Sequence, residues 1–193
     1  MLDAYIYDGL RSPFGRYVGA LATVRADDLV ATVMKALVEK HQLSADIFDE
    51  VLLGSANQAG EDSRNIARNA ALLAGLDVTT PGQTVNRLCA SGLSTVVDAA
   101  RSITCNEGDI ILAGGVESMT RAPFVFAKTE QPFSRDFKVF DTTIGSRFPN
   151  PKIIEQFGSD TMPQTGDNVA QKYGITREEA DKFAAASQAS RVF

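Results

Sequence analysis

The stretch TVNRLCASGLSTVVDAARSI, residues 84–103, decides how this chain folds. It opens as a short apolar-polar alternation, passes through a cluster of small residues, and then repeats Leu93, Val96, Val97, Ala100 and Ile103 at helical spacing. A strand that turns directly into a helix is one half of a β-α-β unit. The apolar repeat predicts the buried stripe of that helix, and Cys89 stands at its mouth.

Working outward, the same grammar recurs. EVLLGSA reads as a nearly continuous apolar strand ending at Gly54, and RNIARNAALLAG as a helix with Ile66, Ala70 and Leu73 on one side and Gly75 as its stop. DDLVATVMKALVEKHQL carries two adjacent core rows, Leu29, Val33, Leu37 and Val30, Met34, Val38, with Asp27 as N-cap. Ser44 opens a short helical turn. AYIYDGLRSPFGR begins as a strand and breaks at Gly9, Pro13 and Gly15. DIILAGGVES is another apolar strand ending in Gly114 and Gly115, glycines that allow either ligand approach or tight packing. Strands alternating with helices of this length give an α/β fold with a largely parallel sheet, helices on both faces and right-handed crossovers.

After Met119 the period is lost. Residues 120–160 are rich in proline and phenylalanine and read as a functional excursion rather than a connection. Two helices follow. MPQTGDNVAQKYG ends at Gly174, and TREEADKFAAASQASRVF opens with a capping box, Thr176 to Glu179, and is still helical in pattern at Phe193. The chain therefore reads as cut rather than finished, in two parts: a core over 1–118 and the start of a second domain over 119–193.

Composition excludes several classes. With 193 residues, 44% hydrophobic and 22% charged, the chain is large enough to bury a core. A net charge of -5 without a basic run gives no footprint for nucleic acid. Asp3 and Asp8 near the start do not fit a secretory signal, and no apolar run reaches bilayer length. Cys89 and Cys105 are the only cysteines and His41 the only histidine, so a structural zinc site is excluded on ligand count. The expectation is a soluble, reduced, cytoplasmic protein without metal or membrane partner.

The placement of Cys89 suits covalent acyl chemistry. Unpaired amides and the dipole at a helix N-terminus favour a thiolate. Ala90, Ser91 and Gly92 let a substrate approach and leave backbone donors for an oxyanion. Against this stands the commoner fate of a lone cysteine, a small core residue. Cys105 fits the core reading, and the residues alone leave Cys89 between the two.

NRLCASG and GGVESMTRAPF, with RSPFGRYVGAL, GSANQAGEDSRNIARNAALLAGL and DTMPQTGDNVAQKYGITREEADKFAAASQ, resemble the thiolase family along the whole chain. Within it the wording is closest to thiolases that cleave 3-oxoadipyl-CoA. The resemblance implies a thiolase-like layered half-fold, a mixed sheet covered by helices, with much of the CoA-binding loop domain from 119 onward. It implies that Cys89 attacks the 3-keto carbon of a 3-oxoacyl-CoA and carries the shortened acyl group as a thioester, which coenzyme A, a substrate rather than a bound cofactor, then takes. Met162 falls where the family lines the acyl pocket, with ordinary core as the other reading. The family's Asn, base His and second Cys match nothing here: Cys105 is not that cysteine, and His41 is expected to face solvent. A C-terminal half is therefore missing, and the 193 residues alone are expected to be inert.

Arg87 follows Asn86 on a strand near the family's dimer interface, where a structural role is expected. Arg64, Arg87 and Arg121 are the candidate cations for a distal carboxylate. A homodimer or homotetramer is the expected assembly. The competing functions are a ketoacyl-synthase-type condensing enzyme, using a similar fold and cysteine, and a non-catalytic lipid-binding or interaction module.

Overall fold

A computed structural model describes residues 3–135, 137–143 and 145–190. The chain divides into two units, 1–144 and 145–193.

The first unit is built on a parallel sheet of three strands in the order β2-β1-β3, with β1 Glu50–Gly54 in the middle, β2 Gly82–Val85 and β3 Ile111–Gly115. The register runs Val51↔Gly82 to Gly54↔Val85 on one side and Glu50↔Ile111 to Gly54↔Gly115 on the other. Strand side chains alternate faces, and β1 uses this fully. Val51 and Leu53 enter the core with α1 Ala26–Lys40 and α2 Ile66–Leu73. Gly54, on the opposite face, abuts α3 Ser91–Thr104. Helices thus cover both faces, and β1 is buried on both. Completely buried Val51 and Ile66 each contribute about 1.5–3 kcal/mol of hydrophobic stabilisation.

Three helical expectations need correction. The buried side of α3 is not the apolar stripe but Ser91, Ser94, Thr95 and Ala99. Leu93 is 70% exposed, and Val96, Val97, Ala100 and Ile103 are only half-buried. The cause is distance. A Cβ on Gly54 would lie 2.4 Å from the Ser91 carbonyl carbon and 2.5 Å from the Gly92 nitrogen, and one on Gly115 would lie 3.4 Å from the Gly92 Cα. Backbones this close admit only small residues, and the Thr95 hydroxyl completes the seam by donating to the carbonyls of Gly92 and Gly114. Gly115 thus serves packing, whereas a Cβ on Gly114 would meet only Leu53 Cδ2, at 3.6 Å.

In α2 the small residues Ala67, Ala70 and Ala71 are buried with Ile66, and Leu73 is exposed. Asn65 caps the start of the helix, its side chain accepting from the Arg68 amide; Gly75, at φ +81°, follows its end. In α1 the N-cap is Arg25, not Asp27. Asp27 lies one position inside the helix, buried, where its carboxylate takes both Arg25 nitrogens and the Asp28 amide. Val30 and Met34 of the second row are buried with Ala31, while Leu29, Val33 and Leu37 are half-buried.

The first residues do not form a strand. Tyr5, Ile6 and Tyr7 lie exposed and outside the sheet. Their anchors are at the two ends: the Asp3 amide donates to Thr104 Oγ1, and Asp8 takes Lys40 Nζ at 2.7 Å and His41 Nε2 at 2.5 Å. Lys40, then His41 and the Gly9 amide, hold the Asp8 carboxyl well below the usual range. His41 is therefore not the solvent-facing residue expected. It is half-buried between Asp8 and the ring of Tyr7. Ser44 opens a turn and no helix.

The excursion carries more order than its composition suggests. A 3-10 turn Met119–Arg121 precedes an antiparallel hairpin, β4 Phe124–Phe126 with β5 Val139–Asp141.

The second unit contains α4 Pro151–Phe157, α5 Met162–Tyr173 and α6 Arg177–Ala189. Gly174, in the left-handed region, ends α5, and the Thr176–Glu179 capping box opens α6 as expected. A second box, Thr161 with Gln164, opens α5 and was legible in TMPQ. The expected continuation of α6 to Phe193 falls on residues 191–193, outside the described residues.

The seam makes a paired prediction. Gly54→Ala drives a methyl into the α3 backbone and costs roughly 1–3 kcal/mol, as overpacking does, whereas Gly114→Ala, with its ordinary contact, costs less than about 0.5 kcal/mol. Urea unfolding of both variants measures the difference; equal losses would refute the close-contact account.

Candidate active site

Three strand exits meet at the carboxyl edge of the sheet, where open α/β sheets hold their ligands. Backbone bonds continue past the strands: the Ser55 amide donates to the Val85 carbonyl and the Val116 amide to that of Gly54. Side chains then lace the exits together. Glu117 accepts from the Ala56 amide at 2.8 Å and more loosely from that of Asn57, and Asn86 Nδ2 donates to the Ala56 carbonyl at 3.2 Å.

The turn from β2 into α3 is tight and strained. Leu88 stands at φ +50°, in the left-handed region, which costs a side-chain-bearing residue on the order of 1–3 kcal/mol. Two side chains hold it there. Asn86 Oδ1 accepts from the Leu88 amide at 3.0 Å, and buried Ser91 donates its hydroxyl to the Leu88 carbonyl at 2.5 Å while accepting from the Arg87 amide at 2.9 Å. Cys89 follows Leu88 and immediately precedes Ala90, the N-cap of α3. The amides of Ala90 and Ser91 are engaged by the carbonyls of Arg87 and Leu88. Those of Gly92 and Leu93 find no protein acceptor among the described residues, as the first turn of a helix requires.

Cys89 is exposed, contrary to the core reading of a lone cysteine. Cys105 is exposed too, which overturns the core reading expected for it. It is the C-cap of the same helix. One helix thus carries a thiol at each end, one at the positive pole of the dipole and one at the negative.

The other candidates separate. Arg121 does not await a ligand carboxylate, because its guanidinium grips Glu61 through both Nε, at 2.7 Å, and Nη2. Arg25 joins Glu61 at 3.5 Å, so two arginines share Glu61 and Arg25 also pairs with Asp27. Arg121, opposing a smaller effect of burial, holds the Glu61 carboxyl below its usual range. Burial pushes Asp27 up, but Arg25 and the Asp28 amide outweigh it and leave that carboxyl low as well. Arg64, at φ +72°, and Arg87 are exposed. Met162, the first residue of α5, is 76% exposed.

A cavity of about 30 Å³ lies among Ser55, Asn57, Glu61, Glu117 and Arg121, and one of about 180 Å³ beside Arg16, Tyr17, Leu29, Glu117 and Met119. Neither is lined by Cys89. The first is the size of one water, and Asn57 Oδ1 is buried without a protein partner, while its Nδ2 donates to Thr142. Among the described residues no three His, Cys, Asp or Glu side chains gather as metal ligands, and no helix is long and apolar enough to cross a membrane.

Sequence reasoning missed the brackets around the thiol. Asn86, two residues before the Leu88 amide it binds, follows the local pattern by which Asn side chains close turns, and that signal was available. Glu117 and Ala56, brought together from 61 positions apart, left none.

The site is an exposed thiol at the strand-turn-helix junction on the carboxyl edge of a parallel α/β sheet. The chain belongs to the thiolase family: the family model for the thiolase N-terminal domain matches residues 4–192. It is 54% identical over 189 residues to the 3-oxoadipyl-CoA/3-oxo-5,6-dehydrosuberyl-CoA thiolase of Escherichia coli K12 and, equally, to a beta-ketoadipyl-CoA thiolase of Acinetobacter baylyi. In each case 97% of this chain and 47% of the relative are covered. The crystal structure of the Bacillus anthracis acetyl-CoA acetyltransferase superposes with a TM-score of 0.78 at 32% identity, covering 90% of this chain and 42% of that one. The chain spans about half the length of the curated relatives it matches.

The arginine-carboxylate network gives a pH prediction. A carboxyl held low in the folded state adds stability above its unfolded pKa, about 4.3 for glutamate, and loses that stability as pH falls through the lowered folded value. Arg121→Gln should therefore weaken the chain at neutral pH and flatten its loss of stability between about pH 5 and pH 3. Denaturant midpoints measured across that range test this; an unchanged acid slope would remove Arg121 as the cause.

Proposed function

We propose that this chain is the N-terminal half of a thiolase that cleaves a 3-oxoacyl-CoA into acetyl-CoA and a shortened acyl-CoA. The observation that carries the reading is an exposed Cys89 next to the N-cap of α3, within a strained and bracketed turn. In the reaction the Cys89 sulfur bonds to the 3-keto carbon and the bond from that carbon to C2 breaks. The electron pair leaves on the acetyl-CoA enolate, which takes a proton. The acyl-thioester is then displaced by a second CoA thiolate, returning Cys89. Helix-start amides, two of them without protein acceptors, support negative charge at this edge. The acid/base groups come from the half that this chain does not span. The reverse, condensing direction uses the same groups.

The similarity to the named 3-oxoadipyl-CoA and beta-ketoadipyl-CoA thiolases favours a 3-oxoacyl-CoA with a distal carboxylate. With Arg121 held by Glu61, Arg64 and Arg87 are the cations left to meet it. Met162 is assigned to the acyl pocket, residues 1–118 to the catalytic core and 119–193 to the start of the CoA-binding loop domain. Coenzyme A serves as substrate. The complete enzyme is assigned to the cytoplasm as a homodimer or homotetramer.

The two ends of α3 supply the test. Iodoacetamide at neutral pH modifies Cys89 at least about tenfold faster than Cys105, because the thiols share a helix and exposure but sit at opposite poles; peptide mass mapping gives both rates. Equal rates would refute Cys89 as an activated nucleophile. The purified 193 residues show no turnover of acetoacetyl-CoA or 3-oxoadipyl-CoA. The full-length enzyme prefers 3-oxoadipyl-CoA by kcat/KM, and replacing the arginine that meets the carboxylate (Arg64→Gln or Arg87→Gln) reduces that preference about 10- to 100-fold. Loss in neither variant would sink the cation assignment.

A further inference from the structure

Resting on the reading of Cys89 as nucleophile, we infer that Glu117 and Asn86 are positioning residues that act on the thiol through one shared residue, Ala56. Glu117 follows β3 and never approaches Cys89 in sequence. Its carboxylate receives the Ala56 amide at 2.8 Å. The carbonyl of that same residue receives Asn86 Nδ2 at 3.2 Å, and the other end of the Asn86 amide receives the Leu88 N–H at 3.0 Å. The two bonds to Ala56 join residues 61 and 30 positions apart, so they are not local turn chemistry. They form a relay from the exit of β3, across the exit of β1, to the turn that presents Cys89.

The relay explains why Leu88 keeps φ +50° although its side chain disfavours that region. The Leu88 amide is fixed from within the turn by Asn86, and Asn86 is itself fixed only while the Ala56 carbonyl stays put. From the far strand Glu117 anchors Ala56 by its amide, and through the looser bond to the Asn57 amide at 3.3 Å it also holds the peptide that carries the Ala56 carbonyl. Residues linked in series through one group act as a unit, so their removal is not additive.

The experiment is a double-mutant cycle on the 193-residue chain, read as the iodoacetamide rate of Cys89 divided by that of Cys105, with Tm recorded separately. Glu117→Ala and Asn86→Ala each lower the ratio about tenfold, and the double variant lowers it little further. Glu117→Gln, which keeps an oxygen for the Ala56 amide, restores most of the ratio. Asn86→Asp keeps the Leu88 acceptor but loses the donor to Ala56, and behaves like Glu117→Ala. Additive losses, or a ratio that ignores Glu117 while wild-type Cys89 remains fast, overturn the relay and leave the nucleophile intact. A wild-type ratio near one overturns the nucleophile reading and the relay with it. Where Glu117→Ala does not fold, Glu117→Asp, whose shorter arm withdraws the acceptor, takes its place in the cycle.

Discussion

The start of α3 lies against the ends of β1 and β3 with almost no side chain between them, and this contact governs the rest. At Gly54 and Gly115 the strands present bare backbone to Ser91 and Gly92. The helix can come this close only because its inner face is Ser91, Ser94, Thr95 and Ala99. Two hydroxyls on that face meet carbonyl oxygens: Thr95 reaches those of Gly92 and Gly114 and Ser91 that of Leu88. Such satisfied polar groups add little net stability, but leaving one unpaired would be costly. The seam therefore fixes where the helix begins, and so where Cys89 stands.

A second layer of control sits on the carboxyl edge. The turn between β2 and α3 has five residues, 86–90, in which to pass from strand to helix, and it does so through a left-handed Leu88. Such a conformation persists only where the surroundings over-determine it. Here Asn86, Ser91 and the Ala56 peptide supply that determination, while Arg25, Asp27, Glu61 and Arg121 tie α1 and the loop before α2 to the turn after β3.

The strand-helix alternation, β1, α2, β2 and β3 were legible because short apolar runs and glycine stops carry their own signal. The inward face of α3 was not. Hydrophobic periodicity assumes that the apolar side of a helix meets the sheet, whereas close backbone packing selects small residues and turned Leu93 outward. The same logic exposed Leu73 of α2, whose alanines face inward. Asp27 looked like an N-cap because of its type, but Arg25 drew its carboxylate into an ion pair. Cys89 could be placed at the helix mouth from the residues around it, whereas the Glu117 to Ala56 bond joins distant segments and had no local trace.

The capping boxes of the second unit carry a consequence for how it is made. Thr161 with Gln164 and Thr176 with Glu179 define where α5 and α6 begin using residues within a single turn, and Gly174 marks where α5 stops. Helix nucleation is the slow, unfavourable step because it fixes several dihedrals for one bond. Local start signals lower that barrier without waiting for distant partners. As the polypeptide leaves the ribosome, these two segments can thus sample their final phase within microseconds, well before any long-range pairing is complete.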